Sequence, residues 1–204
     1  MTPAPVFDRA YTLVKHRLRS GAWRPGQRLE LPVLAADLDA SLTPLRDALH
    51  RLVGEGLLTW GPSEGFAVPD MTELDLRDLY GFHLDLTLLS VRSRRSSSPM
   101  QAAQSAQSED PVSAICALFE GLGAGSDNRE HTAAIRAVGD RLHPARLVEG
   151  RSLVDLRGEC RDMWSAASGG DVRHLRFLLN AYHRRRMRAA GQIAHHLYRP
   201  DAAE

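Results

Sequence analysis

The sequence predicts a mainly α protein: a three-helix head closed by a β-hairpin, then an all-helical bundle. Three features carry that expectation. Apolar residues recur every third or fourth position in three separate runs within the first seventy residues, and two short apolar segments then flank "GPSEG". From residue 71 to residue 204 no segment alternates as a strand would.

In the first run Phe7, Ala10, Tyr11, Val14 and Leu18 share one helical face, and "SGAWRPG" stops the helix. A short helix follows over Leu31–Leu38, with Leu34, Ala35 and Leu38 on one side. After "DAS" comes "SLTPLRDALHRL", where Leu45, Ala48, Leu49 and Leu52 recur at helical spacing while Thr43, Arg46, Asp47 and His50 point the other way. Ser41 and Thr43 both have N-cap chemistry, and Pro44 suits a first helical turn. "LLTW" and "FAV" around "GPSEG" complete a winged helix-turn-helix over residues 1–70. Its third helix spends the apolar face on the core and leaves the polar face for a partner.

A composition break near Pro69 divides this head from a second domain, residues 71–204. Its first helix covers "TELDLRDLYGFHLDLTLLSVRS", capped by Thr72, with Leu76, Leu79, Phe82, Leu86 and Leu89 predicted to face inward. The Ser-, Gln- and Ala-rich residues 92–110 read as a loop. Helices are expected at "DPVSAICALFEGL", at "DNREHTAAIRAVGDRL" and over about Arg151–Ala167. A last long helix starts near Asp171 and stops before Pro200, with Leu175, Leu179, Tyr182, Ile193 and Leu197 inward and Gly191 as a weak point.

Composition narrows the function. The chain has 43% apolar residues and a net charge of +1, ordinary for a globular protein and uninformative about a polyanionic partner. Cys116 and Cys160 are too few for a disulfide framework, and no apolar run is long enough to span a membrane, so a cytoplasmic protein is expected. There is no phosphate loop, no His-Glu-x-x-His, no Cys-x-x-Cys and no nucleophile elbow, so no enzyme is expected.

The stretch "RSGAWRPGQRLELPVLAADLDASLTPLRDALHRLVGEGLLTW" resembles the amino-terminal domain of GntR-superfamily transcriptional regulators, through its "G…PG" turn, its "LA", its "S-x-T-P-x-R-x-A-L" and its glycine-bearing wing. The resemblance implies a recognition helix in the major groove, with Ser41, Thr43, Arg46 and His50 on double-stranded operator DNA and Gly65 in the wing. Leu42 stands where the family most often has a guanine-reading arginine, Gly61 and Glu64 where its wing has arginines, and Pro32 where relatives are often basic. Residues 1–70 carry eight basic and eight acidic side chains, which cancel. Lys15, Arg17 and Arg19 are read as solvated charge on the first helix rather than DNA contacts.

An all-helical domain behind such a head resembles the FadR-type effector domain, a helical bundle around a small-molecule pocket that often holds a divalent metal through one aspartate and three histidines. The resemblance implies a zinc-like ion at Asp127, His131, Cys160 and His183, with Cys160 replacing one histidine and His183 offset by one residue. Each also has a structural reading: Asp127 as a helix cap, His131 as a half-buried polar residue, Cys160 as a small core residue. Without a metal, Arg136 or Arg157 is a candidate to hold an anionic effector. The basic segment "YHRRRMRAAGQIAHHLYR" reads as a solvated helix face. The expected protein is a homodimeric repressor controlled by a small-molecule effector, an organic acid; the alternative is a protein-interaction module whose winged helix has lost specific DNA binding.

Overall fold

The computed structural model describes residues 6–93 and 110–199, so most of the segment read as a loop lies outside the described residues. They divide into two compact units, one ending at Met71 and one running from Thr72 to Arg199.

The first unit is α1 (Val6–Arg19), α2 (Leu31–Asp37), α3 (Leu42–Gly54), β1 (Thr59–Gly61) and β2 (Gly65–Ala67). Ala10, Val14 and Leu18 of α1 meet Leu34 of α2 and Leu45, Ala48, Leu49 and Leu52 of α3, and Leu57, Leu58 and Phe66 close this core below the hairpin. All four α3 residues lose their whole accessible surface, and a leucine buried so completely contributes about 2 kcal/mol. The two strands are antiparallel, with Trp60 opposite Phe66 and Gly61 opposite Gly65. The chain between α1 and α2 joins them: Leu29 N–H donates to Phe66 O and Val68 N–H to Gln27 O. This is the winged helix-turn-helix that the periodicity predicts.

Two of the basic residues on α1 are structural. Lys15 reaches Glu55 at 2.8 Å, where Tyr11 also donates, tying α1 to the residue that follows α3. Arg17 reaches Asp37 of α2 at 3.1 Å.

The second unit is all helical: α4 (Glu73–Arg92), α5 (Pro111–Ala124), α6 (Arg129–Val148), a single 3-10 turn (Glu149–Arg151), α7 (Leu156–Ser168) and α8 (Val172–Tyr198). Each α-helix starts at a polar cap. Thr72 and Asp75 form a reciprocal capping box, and Asp110, Asn128, Asp155 and Asp171 accept from amides of their own first turns. At α6 the cap is Asn128, not Asp127. Helix α4 packs chiefly on α8 and α6, α5 on α6, and α7 on α8. Gly123 lets α5 approach α6, since a Cβ there would stand 3.2 Å from the Thr132 Cα.

Three expectations are corrected. Phe82 and Leu89 are about half exposed, and the inward side of α4 instead carries Tyr80, His83, Thr87 and Ser90 beside Leu76, Leu79 and Leu86. Leu197 is only partly buried, and α8 is continuous through Gly191. Helix α6 does not stop at Leu142: it passes Pro144 and continues to Val148. Proline removes one amide donor and crowds the carbonyl four residues earlier, but packing sustains the helix. That last turn carries Arg146 into the core.

Candidate functional site

Helix α3 presents a polar stripe over its buried apolar side. Thr43, Arg46 and His50 lie three and four residues apart, so they fall in one line along the helix, and all three are exposed. Ser41 occupies the N-cap with extended backbone, yet its hydroxyl makes no capping bond. Arg46 forms no ion pair among the described residues, so its charge is not spent within its own unit. Leu42, at the head of the stripe, is 42% exposed.

The wing is fastened to this stripe by rings. His50 meets Phe66 edge-on at 4.9 Å and Trp60 at 5.6 Å, which holds the hairpin against the middle of α3. Trp60 remains half exposed beside it. It is missing from the predicted contact residues, although "LLTW" at the hairpin is the signal that could have found it. Gly65 has φ +72°, a left-handed conformation that starts β2 after the turn. Its role is to shape the wing. With an arginine, hydroxyls and an imidazole in line and an aromatic hairpin alongside, the surface can offer donors to phosphates and to base edges.

The helical unit contains a buried polar cluster. Arg186 of α8 donates to Glu149 from Nε at 2.9 Å and pairs with Glu159 of α7, also at 2.9 Å, while its guanidinium carbon lies 3.3 Å from the Tyr182 ring centroid. The other Glu149 oxygen accepts from Tyr80 at 2.6 Å. Burial, and then the Glu149 charge, push the Tyr80 hydroxyl well above its ordinary value, so it stays a donor. Burial likewise pushes the Glu159 carboxyl up, against the pull of Arg186.

Beside this cluster stand two histidines. His83 Nδ1 lies 2.8 Å from His183 Nε2, and His183 Nδ1 lies 2.7 Å from the Leu179 carbonyl oxygen. A carbonyl only accepts, so His183 carries its proton on Nδ1 and takes one from His83 at Nε2. His83 therefore has a bare Nε2, and Arg146, a pure donor, faces it at 3.4 Å. Burial holds both rings neutral: His83 falls well below its ordinary range, helped by Arg146, and His183 falls to about 3.

The four residues named as metal ligands are not brought together. Asp127 is exposed just before the α6 cap, and His131 bonds through Nδ1 to Ser126 at 2.9 Å. Both His183 ring nitrogens are engaged. Cys160 is buried in α7, and burial, then Glu159, push its thiol up to about 11, so it does not present a thiolate at neutral pH. Among the described residues no three His, Cys, Asp or Glu side chains group so as to hold a metal ion. Arg136 and Arg157 are exposed, and the arginines that enter the core are Arg146 and Arg186.

Residues 7–68 match the family model described as bacterial regulatory proteins, gntR family. Over 78 residues the chain is 38% identical to the HTH-type transcriptional regulator McbR of Escherichia coli (strain K12), a stretch covering 38% of this chain and 35% of that protein. Over 70 residues it is 43% identical to the Nta operon transcriptional regulator of Aminobacter aminovorans, covering 34% of this chain and 33% of that protein. The chain thus spans about a third of the length of these curated relatives. A solved GntR transcriptional regulator from Rhodococcus sp. RHA1 superposes with a TM-score of 0.77 at 20% identity, covering 92% of this chain and 96% of that one. Escherichia coli McbR/YncC does so at 0.67 and 23%, covering 93% and 98%. These likenesses show the fold alone.

Proposed function

We propose that this chain, whose residues 7–68 match the gntR family model of bacterial regulatory proteins, is a sequence-specific DNA-binding transcriptional regulator. The observation that carries this reading is the exposed line of Thr43, Arg46 and His50 on a helix whose other side is fully buried. Within that line His50 holds the wing, while Arg46 stands exposed with its charge unspent. In this reading α3 enters the major groove, with Arg46 on a base edge or phosphate, Thr43 and Ser41 donating to phosphates, and the hairpin held by His50 along the backbone.

The protein works in the cytoplasm as a homodimer, because one small head covers too few base pairs for useful specificity and two of them read a two-fold operator. It represses, since occupying a promoter needs no further contact. The helical unit is an effector domain of the FadR type, in which a small organic acid shifts the spacing or mobility of the two heads. No helix of the described residues is long and apolar enough to cross a membrane, which is compatible with this placement.

Footprinting on the DNA upstream of the protein's own coding region tests the reading. Protection of two half-sites separated by about ten base pairs, one helical turn, is expected. Protection that spreads evenly with protein concentration, together with capture of a protein partner by the head, is the outcome for an interaction module.

A further inference from the structure

Leu42 is the first residue of α3 and the one large apolar side chain of that helix left exposed, at 42%. The core does not use it: Leu45, Ala48, Leu49 and Leu52 already fill that side and are wholly buried. Leu42 stands four residues before Arg46, and Arg46 four before His50, so the three follow one line along the outside of the helix. At the far end of the line His50 is engaged with the rings of Trp60 and Phe66. At the amino-terminal end Leu42 and Arg46 are exposed, and Ser41 just before them makes no capping bond with its hydroxyl.

We propose that Leu42 reads the C5-methyl group of a thymine in each operator half-site. This rests on the reading that α3 enters the major groove, and adds which base chemistry its first turn selects. The residues near the amino terminus of such a helix are those that reach base edges. There the major groove presents amino donors, carbonyl and ring-nitrogen acceptors, and a single methyl group, that of thymine. A leucine neither donates nor accepts, so against the polar edges it strips water and returns no hydrogen bond. Against the methyl, both partners withdraw apolar surface from water. One helical turn, about 5.4 Å, separates Leu42 from Arg46, so the thymine lies within about two base pairs of the Arg46 contact.

The charges of the head give this apolar contact weight. Lys15 and Arg51 are spent on Glu55, and Arg17 on Asp37. Asp47, exposed beside Arg46, repels phosphate. With general attraction to the backbone reduced in this way, discrimination falls to the side chains that meet base edges.

The test uses the full chain and the DNA it protects upstream of its own coding region. Each thymine of the half-sites is replaced in turn by deoxyuridine, which keeps every hydrogen-bonding group and lacks only the methyl. One position is expected to weaken the parent protein about three- to tenfold. That loss is the same at low and high salt, because apolar burial is not screened. Leu42→Ala binds the thymine operator more weakly by a similar factor and no longer distinguishes it from the deoxyuridine DNA. Alanine favours a helix at least as well and Leu42 lies outside the core, so the variant keeps its fold, which circular dichroism checks. If no thymine responds, or if Leu42→Ala retains the full deoxyuridine loss, which then reports DNA shape, the role of Leu42 is overturned while specific DNA binding stands. A parent protein that forms no specific complex on this DNA refutes the DNA-binding reading and this inference with it.

Discussion

His83 donates its Nδ1 proton to Nε2 of His183 across 2.8 Å, and the bond can run in no other direction because His183 Nδ1 must itself donate to the Leu179 carbonyl. Both rings are neutral in the folded protein and sit well below the ordinary histidine value.

Stability of the helical unit should therefore fall as pH drops below about 6.5. The unfolded chain takes up protons there while the folded one does not, so the stability held above the unfolded value is lost progressively as pH falls toward the folded one, about 3 for His183. Each ring contributes about 1.4 kcal/mol per pH unit in that window. Hydrogen exchange of the α8 amides at pH 7 and pH 5 measures it; equal protection at both contradicts the assignment.

Glu149→Gln should destabilise the helical unit by about 1–3 kcal/mol, because it weakens the charge-assisted bonds from Tyr80 and Arg186 inside the core while Glu159 keeps Arg186 paired. Chemical denaturation reads this as a lower midpoint at constant slope. A cost below about 1 kcal/mol, the range of exposed ion pairs, would show that the pair is more solvated than its geometry indicates.

Gly65→Ala should weaken the wing and spare the core. A Cβ there touches nothing within 4 Å, so the penalty comes only from holding φ at +72°. That costs about 1–2 kcal/mol for alanine and less for asparagine. Comparing Gly65→Ala with Gly65→Asn in DNA affinity and in Trp60 fluorescence separates backbone strain from a lost contact; equal effects argue for the latter.

The head was almost wholly legible because each signal in it is local. Leu45, Ala48, Leu49 and Leu52 announce α3 by spacing alone, and "GPSEG" announces the turn. In the helical unit the caps set the starts, since Thr72, Asp110 and Asp171 each precede an apolar run. The inside of that unit was not legible. An arginine on a helix normally reads as solvent-facing, and Arg146 is buried because His83 and Cys116, 63 and 30 residues away in sequence, meet it in space. Pro144 reads as a stop, which hid the turn that carries Arg146. Counting only apolar residues placed Phe82 inside and passed over His83, although a polar residue can be core when its partner is on another helix. The ligand set at Asp127, His131, Cys160 and His183 follows a spacing pattern, and spacing cannot reveal that His183 is already engaged at both ring nitrogens.

The central claim is that the outer face of α3 reads DNA, and a salt-titrated mobility shift on the protein's own upstream region with parent and Arg46→Ala proteins tests it most directly. The account predicts a specific complex in the parent protein that Arg46→Ala weakens at least about tenfold, with a shallower dependence on salt if Arg46 contacts a phosphate. A parent protein that binds operator and scrambled DNA alike, or an Arg46→Ala variant that keeps full specific affinity, would contradict it.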